Sequence, residues 1–337
     1  MILEATGSLK HVDRPLRLAE VPVPVPRSDE LLVEVAACGV CHTELDEIEG
    51  RLQPARLPII LGHEVIGRVA QCGSDVSNFQ LGNRVGVGWI HQSNGTCQEN
   101  LAPEFVATGC DVDGGYAEYM TVPAGYAVPI PDDLKDAEAA PLMCAGAIGY
   151  RALRLCELTD GQPLGLMGFG GSAHLVLQLA KHIYPNSPVF VFTRDSSIQH
   201  FARDLGADWS GAIDAQPPEK VRSIIDTTPA WWPVVQSLRK IKPGGRLVIN
   251  AIRKEDNDKE ALQDLSYHEH LWMEREIKSV ANLTFRDIAE FIPLAAIIPI
   301  RPEVTTYPLE QANEALQDLR QGTVKGAKVL MIESKAR

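Results

Sequence analysis

The chain has 337 residues, 45% of them hydrophobic and 23% charged, which suits two globular domains better than one. Its 32 Lys and Arg against 44 Asp and Glu leave a net charge of −12, which argues against nucleic acid, whose phosphates require a basic footprint. No run approaches the ~18 apolar residues of a membrane span, the Met1-Ile2-Leu3-Glu4 start has no signal-peptide character, and an odd set of 7 scattered cysteines fits a cytoplasmic protein using thiols as ligands or core residues.

Residues 1–145 read as an irregular antiparallel β-domain, because short strand signals alternate with Gly and Pro. Leu31–Ala37 is a strand that runs into Cys38-Gly39-Val40-Cys41-His42-Thr43-Glu44, and Gly62-His63-Glu64 is a turn entering the next strand. Gly82–Gly88 has the glycine density of tight β connections, and Asp113–Tyr119 supplies a further turn and strand. Taken singly, Cys41 reads as a small buried hydrophobe and His63 as a satisfied core histidine. Cys38 and Cys41 also form a Cys-x-x-Cys pair. Its position after a β-strand, and not at the head of a helix in a thioredoxin-like unit, speaks against a redox dithiol. The lack of a second such pair speaks against a closed structural zinc. Ligands drawn from distant positions with one site left open are the pattern of catalytic zinc.

Residues 146–283 read as a Rossmann unit. The apolar run Pro163–Met167 ends in Gly168-Phe169-Gly170-Gly171-Ser172-Ala173, and Val176, Leu179, Ala180 and Ile183 then fall on one helical face. This strand, glycine turn and helix is the context in which a glycine loop cradles pyrophosphate at a helix N-terminus. Val189–Phe192 completes the βαβ unit, with further strands at Ser223–Asp226 and Gly244–Asn250. NAD-binding units place Asp or Glu at the end of the second strand, to bond the ribose. Here Thr193 and Arg194 stand there, and a guanidinium suits a 2′-phosphate, so NADP(H) is expected over NAD(H). The competing reading makes Arg194 a solvated loop charge and gives the ribose to Asp195. In residues 284–337, Phe285–Ala296 and Leu309–Leu319 read as helices around an extended Ile300–Val304. Gly326–Ile332 is a closing strand expected to rejoin the first domain.

Together these motifs resemble the zinc-containing, medium-chain alcohol dehydrogenases. The likeness rests on Cys-His-Thr-Glu, Gly-His-Glu, Gly-Gly-Tyr-Ala-Glu-Tyr, Pro-Leu-Met-Cys-Ala-Gly, the glycine loop and Lys-Pro-Gly-Gly-Arg-Leu-Val, and it covers nearly the whole chain. It implies an α/β protein in which a GroES-like β-rich catalytic domain (1–145 and 284–337) is interrupted by a Rossmann doubly wound domain (146–283), with the active site in the cleft between them. Cys41, His63 and Cys144 match the catalytic zinc ligands, and Glu64 the acidic neighbour that approaches the metal when substrate is absent. Thr43 matches the hydroxyl that exchanges a proton with substrate, and Asp46 stands where some members carry the relay histidine. His42, Ile148, Gly168, Gly170, Gly171, Ser172, Ala173, Thr193, Arg194, Asn250 and Ala251 are the implied cofactor residues. The implied reaction moves a hydride between a primary alcohol or its aldehyde and the nicotinamide.

Three departures qualify the likeness. The stretch from Gly88 to Cys110, where many members close a structural zinc with four cysteines, offers only Cys97 and Cys110, so one zinc per chain is expected. Asp46 either carries the proton outward or is a solvated carboxylate, and Glu44 replaces the usual Asp beside Thr43. A zinc-free quinone or enone reductase of the same superfamily is the rival enzyme, and a non-catalytic binding protein the rival of another class. Trp89, Trp231, Trp232 and Trp272 line a substrate pocket or anchor the core. A homodimer or homotetramer paired through cofactor-domain sheet edges is implied by the family.

Overall fold

The structure is a computed structural model and describes residues 1–298, 300–322 and 326–333; Pro299, residues 323–325 and residues 334–337 of the expected last segment lie outside it. The chain divides into two compact units, Met1–Ala147 with Asn282–Arg337, and Ile148–Ala281.

The first part builds β1 (Ile2–Leu3), β2 (Leu16–Arg17), β3 (Glu30–Val40), α1 (His42–Ile48), β4 (Ile59–Ile60), β5 (Val65–Cys72), β6 (Arg84–Val87), β7 (Ile90–Gln92), β8 (Val106–Ala107), β9 (Tyr119–Pro123), β10 (Val128–Pro129) and the single turn α2 (Asp136–Ala139). β3 is the spine. It pairs antiparallel with β5 on one side and with the last strand of the chain on the other, and β9 also pairs with it. Nine of its eleven residues are buried, which is why Leu31–Ala37 lacks the clean alternation of a one-sided strand. β1, β2 and β4 form a separate three-stranded antiparallel ribbon, and β7 and β8 a two-stranded one.

α3 (Ala145–Leu155) leads into the second unit, which holds β11 (Leu164–Met167), α4 (Ala173–Ile183), β12 (Val189–Phe192), α5 (Ser196–Asp204), β13 (Trp209–Gly211), β14 (Val221–Asp226), α6 (Trp232–Lys240), β15 (Ile241–Ile249) and β16 (Glu276–Ser279). Its sheet is parallel throughout, in the order β13-β12-β11-β14-β15-β16. The chain winds outward from β11 to β13 and returns to β14, so the order reverses beside β11. In doubly wound sheets that point, at the carboxyl ends of the strands, is the ligand crevice. β11, β12 and most of β14 are buried, as continuous apolar runs in a two-faced parallel sheet should be.

The chain then returns to the first unit through α7 (Phe285–Ile297), β17 (Val304–Pro308), α8 (Ala312–Gln321) and β18 (Ala327–Met331). β18 lies antiparallel to β3, with Leu330 opposite Cys38, so the closing strand completes the first unit's sheet. Extended structure begins at Val304, later than the sequence pattern indicates.

Candidate metal centre and nucleotide loop

In the first unit, β3 delivers the chain to Cys41, which stands at the N-terminus of α1. The Cys-x-x-Cys pair therefore does end at a helix, contrary to the sequence reading, though at the edge of an antiparallel sheet. The backbone N–H of Cys41 donates to Glu44 Oε2 at 2.7 Å, which satisfies one of the helix's free donors and fixes the carboxylate. The other oxygen, Glu44 Oε1, lies 2.7 Å from His63 Nδ1, and both side chains are buried. The extra methylene of Glu44 relative to Asp thus lets one carboxylate bridge the cysteine's backbone and the histidine's ring.

Cys38 and Cys41 part company. The Cys38 thiol is fully buried in the core beside the backbone of Gly62 and Gly115, and burial pushes its pKa well up. Cys41 turns instead toward His63, Glu64 and Cys144, and the ligand atoms of these four all lie within 4.8 Å of one another. No other such group of His, Cys, Asp or Glu occurs among the described residues. The Cys144 thiol beside Cys41, and after it His63, hold the Cys41 thiol well below its ordinary pKa against the cost of burial. Glu64 is pushed well up by burial first and by the Cys41 thiolate second.

Three features make this cluster a built site. His63 Nε2 is buried with no hydrogen-bond partner, while Nδ1 faces Glu44. A proton held on Nδ1 leaves Nε2 with a free lone pair for a metal. Gly39 makes room for Glu64, since a Cβ there would lie 1.8 Å from Glu64 Oε2. Trp89 packs edge-on to the His63 ring at 5.0 Å between centroids and donates from Nε1 to Asn282 Oδ1 at 3.0 Å. Of the four tryptophans singled out from the sequence, this one abuts the cluster. Two thiols, an imidazole and a carboxylate at this mutual spacing fit a zinc ion, whose tetrahedral donors sit ~2.0–2.3 Å from the metal.

Thr43 is buried, with Oγ1 3.6 Å from Cys41 Sγ. His42 is exposed. Asp46 is buried, and its Oδ1 receives Arg51 Nε at 2.6 Å, so it is not a solvated surface carboxylate. The sequence reading passed over Glu47, which α1 also buries fully, facing the Cys110 thiol. In the short Gly88–Cys110 stretch, Cys97 is exposed and Cys110 buried. Buried Glu99 ties this stretch down by accepting from Phe285 N at 2.7 Å and from Tyr126 Oη at 3.0 Å.

In the second unit, the β11–α4 turn carries the glycine loop. Gly168 has φ +83°, a conformation an L side chain resists, and a Cβ there would come 2.8 Å from Thr227 Oγ1. Gly170 and Gly171 are different: a Cβ at either meets nothing within 4 Å. Their smoothness serves no contact inside the protein and leaves bare backbone for a phosphate group at the head of α4, with Ser172 and Ala173 opening the helix. At the end of β12, Thr193 is buried and Arg194 exposed. Asp195 caps α5, with Oδ1 accepting from Ser197 N and Oγ, both at 2.7 Å. Ile148, Asn250 and Ala251 are half-buried, and Asn250 Nδ2 is buried without a hydrogen-bond partner. The predicted residues thus fall in two sets: the metal cluster with Thr43, Asp46 and the predicted cofactor residue His42 in the first unit, and the other predicted nucleotide residues in the second.

Comparison with known proteins agrees in both units. Residues 27–132 match the model of the alcohol dehydrogenase GroES-like domain. A probable alcohol dehydrogenase, AdhA, of Mycobacterium tuberculosis is 41% identical over 329 residues, covering 94% of this chain and 93% of that protein. An alcohol dehydrogenase of Geobacillus stearothermophilus is 32% identical over 336 residues, covering 94% and 96%. The solved alcohol dehydrogenase of the archaeon Aeropyrum pernix aligns with a TM-score of 0.81 at 25% identity over 98% of each chain. The GroES-like and Rossmann units of this structure are those of that fold, and the chain belongs to the medium-chain, zinc-type alcohol dehydrogenase family, an oxidoreductase acting on alcohols.

Proposed function

We propose that the protein is a zinc-dependent, NADP(H)-preferring alcohol dehydrogenase that also reduces the corresponding aldehydes, acting on primary alcohols. The observation that carries the reading is the four-donor cluster of Cys41, His63, Glu64 and Cys144 within 4.8 Å, its histidine and glutamate buried and its two cysteines half-buried. Cys41, His63 and Cys144 would hold one zinc, with Glu64 as the donor that gives way to substrate. When bound, zinc supplies a Lewis acid that polarises the substrate oxygen. Glu44 keeps His63 in the tautomer whose Nε2 can ligate. Thr43 takes the proton from the substrate hydroxyl, and Asp46, held by Arg51, receives it on the way outward.

For the cofactor, the open Gly170–Gly171 backbone and the head of α4 take the pyrophosphate. Arg194 takes the 2′-phosphate, because Asp195, the carboxylate next in line for a ribose, is committed to the α5 cap. Ile148, Asn250 and Ala251 complete the nucleotide contacts within the second unit. The edge strand β16 is exposed along its whole length, and Ile277, Trp272 and Met273 are exposed large apolar residues on or beside it, which favours a homodimer or homotetramer joined there. All seven cysteines are free thiols, which suits a cytoplasmic site.

The test is metal content of untagged protein by mass spectrometry, with aldehyde-dependent NADPH oxidation followed on the same sample. About one zinc per chain with turnover is expected. Cys144→Ser should lose both, and full activity with undiminished metal in that variant would overturn the assignment.

A further inference from the structure

A second buried charged cluster lies at the carboxyl ends of β14 and β15, away from every titratable residue used above. Asp226, the last residue of β14, is fully buried, and the Lys254 side chain is 8% exposed. Lys254 Nζ donates to Asp226 Oδ2 at 2.5 Å, to the Thr228 carbonyl at 2.7 Å and to the Ala230 carbonyl at 3.0 Å. An ammonium has three protons, so all of them are spent within the protein. Asp226 Oδ1 in turn accepts from Thr228 N at 2.9 Å and Oγ1 at 2.8 Å.

The same two loops are joined along their length. Asn250 N donates to the Asp226 carbonyl and Glu255 N to the Pro229 carbonyl, both at 2.7 Å. Asp258 accepts from Trp231 N and Trp232 N, each at 2.9 Å, at the head of α6. On its other side the β14 loop closes on the glycine turn: Thr227 N donates to the Met167 carbonyl at 2.9 Å. A Cβ on Gly168 would meet Thr227 Oγ1 at 2.8 Å and Thr228 Cγ2 at 3.0 Å. Lys254 ties the β15 loop, which carries Asn250 and Ala251, to the start of the β14 loop that abuts Gly168, while Asp258 ties the same loops farther along, at the head of α6. A buried ion pair adds little net stability once desolvation is counted, so what it contributes is geometry.

We propose that the Lys254–Asp226 pair is a positioning device for the nicotinamide half of the dinucleotide, locking the loops after β14 and β15 into one preformed wall beside the glycine turn. The inference rests on the nucleotide site proposed above. Because β12 and β14 lie on opposite sides of β11, the adenosine end at Thr193 and Arg194 is outside the clamp's reach, and the other half of the ligand is within it.

The test is direct binding to the full-length protein, without turnover, using NADPH and NADH as whole ligands and 2′-AMP and AMP as adenosine-end fragments. Lys254→Met alone leaves Asp226 buried and unpaired and is a poor probe of binding, so the neutral pair D226N/K254M is the main variant, with Lys254→Arg as the conservative one. In folded D226N/K254M the dinucleotide should bind about tenfold more weakly, the effect of losing ~1.4 kcal/mol of preorganisation, while the fragments bind as in wild type. Lys254→Arg should restore most of the difference. Unchanged dinucleotide affinity in D226N/K254M would overturn the proposal, as would equal weakening of dinucleotide and fragment, which marks a merely structural role. If the unaltered chain bound neither dinucleotide nor fragment, the nucleotide site itself would fall and the clamp with it, a result distinguishable because it appears without any substitution.

Discussion

Glu44→Gln tests whether the carboxylate behind His63 governs binding of the proposed zinc. In the wild type one oxygen receives the Cys41 N–H at 2.7 Å and the other stands 2.7 Å from His63 Nδ1. A carboxamide has a single acceptor oxygen. If that oxygen keeps the Cys41 bond, the amide N–H faces Nδ1, drives the ring proton to Nε2 and so occupies the lone pair the metal needs. If the amide flips, Cys41 N–H meets another donor at the head of α1. Either outcome costs metal binding, by the ~10–100-fold typical of losing an outer carboxylate partner, or about 1.4–2.7 kcal/mol. The assay is zinc competition against a chelator of known affinity, with a thermal melt on the same sample to show that the fold survives. Zinc affinity within about twofold of wild type in folded Glu44→Gln would refute the reasoning.

Three further outcomes follow from particular contacts. Arg194→Ala should raise KM for NADPH by about tenfold or more and leave that for NADH nearly unchanged; equal effects on both would remove Arg194 from phosphate recognition. Gly39→Ala places a methyl 1.8 Å from Glu64 Oε2 and 2.8 Å from its Cβ, an overpacking expected to cost about 1–3 kcal/mol. Glu64→Ala added to it removes the carboxylate but keeps the Cβ, so it should recover the larger, 1.8 Å part of the clash and not the whole in thermal melts, and the absence of any recovery would show that the clash lies elsewhere. Lys240 is almost fully buried over the Phe192 ring, and burial brings its pKa from 10.5 down to about 8. The fold thus favours the neutral amine, and between these values the unfolded chain binds more protons, so stability rises with pH through that window. Lys240→Met should therefore raise Tm by about 2–4 °C at pH 7, and the gain should shrink as pH rises from about 8 through 10.5, where the lysine of the unfolded chain loses its proton too; a gain independent of pH would contradict the burial argument.

Whatever is set by neighbours in the chain could be read from the sequence. The β11–turn–α4 unit was legible because a buried strand, three glycines and an amphipathic helix are contiguous, and their spacing alone requires the backbone to turn there. The Thr193–Arg194 pair in place of a carboxylate was visible for the same reason, whereas Cys41, His63 and Cys144 were read as a ligand set only through the family resemblance. The capping role of Asp195 and the helix opened at Cys41 were not, since both depend on where the chain turns after a strand.

Only the tertiary structure decided what those residues do together. Cys41, His63 and Cys144 come from the end of β3, the turn before β5 and the residue before α3, and it is the pairing of β3 with β5, with the packing of the Cys144 turn, that brings their atoms within 4.8 Å. A single-sequence pattern carries no term for such convergence. Glu44 was a departure of unknown effect until His63 stood opposite it, and Asp46 was ambiguous until α1 buried it against Arg51. Lys254 and Asp226 carried no signal at all, because a loop lysine and a strand-end aspartate are ordinary in sequence. Burial alone makes their pairing obligatory, since neither charge can be left without a partner once water is excluded.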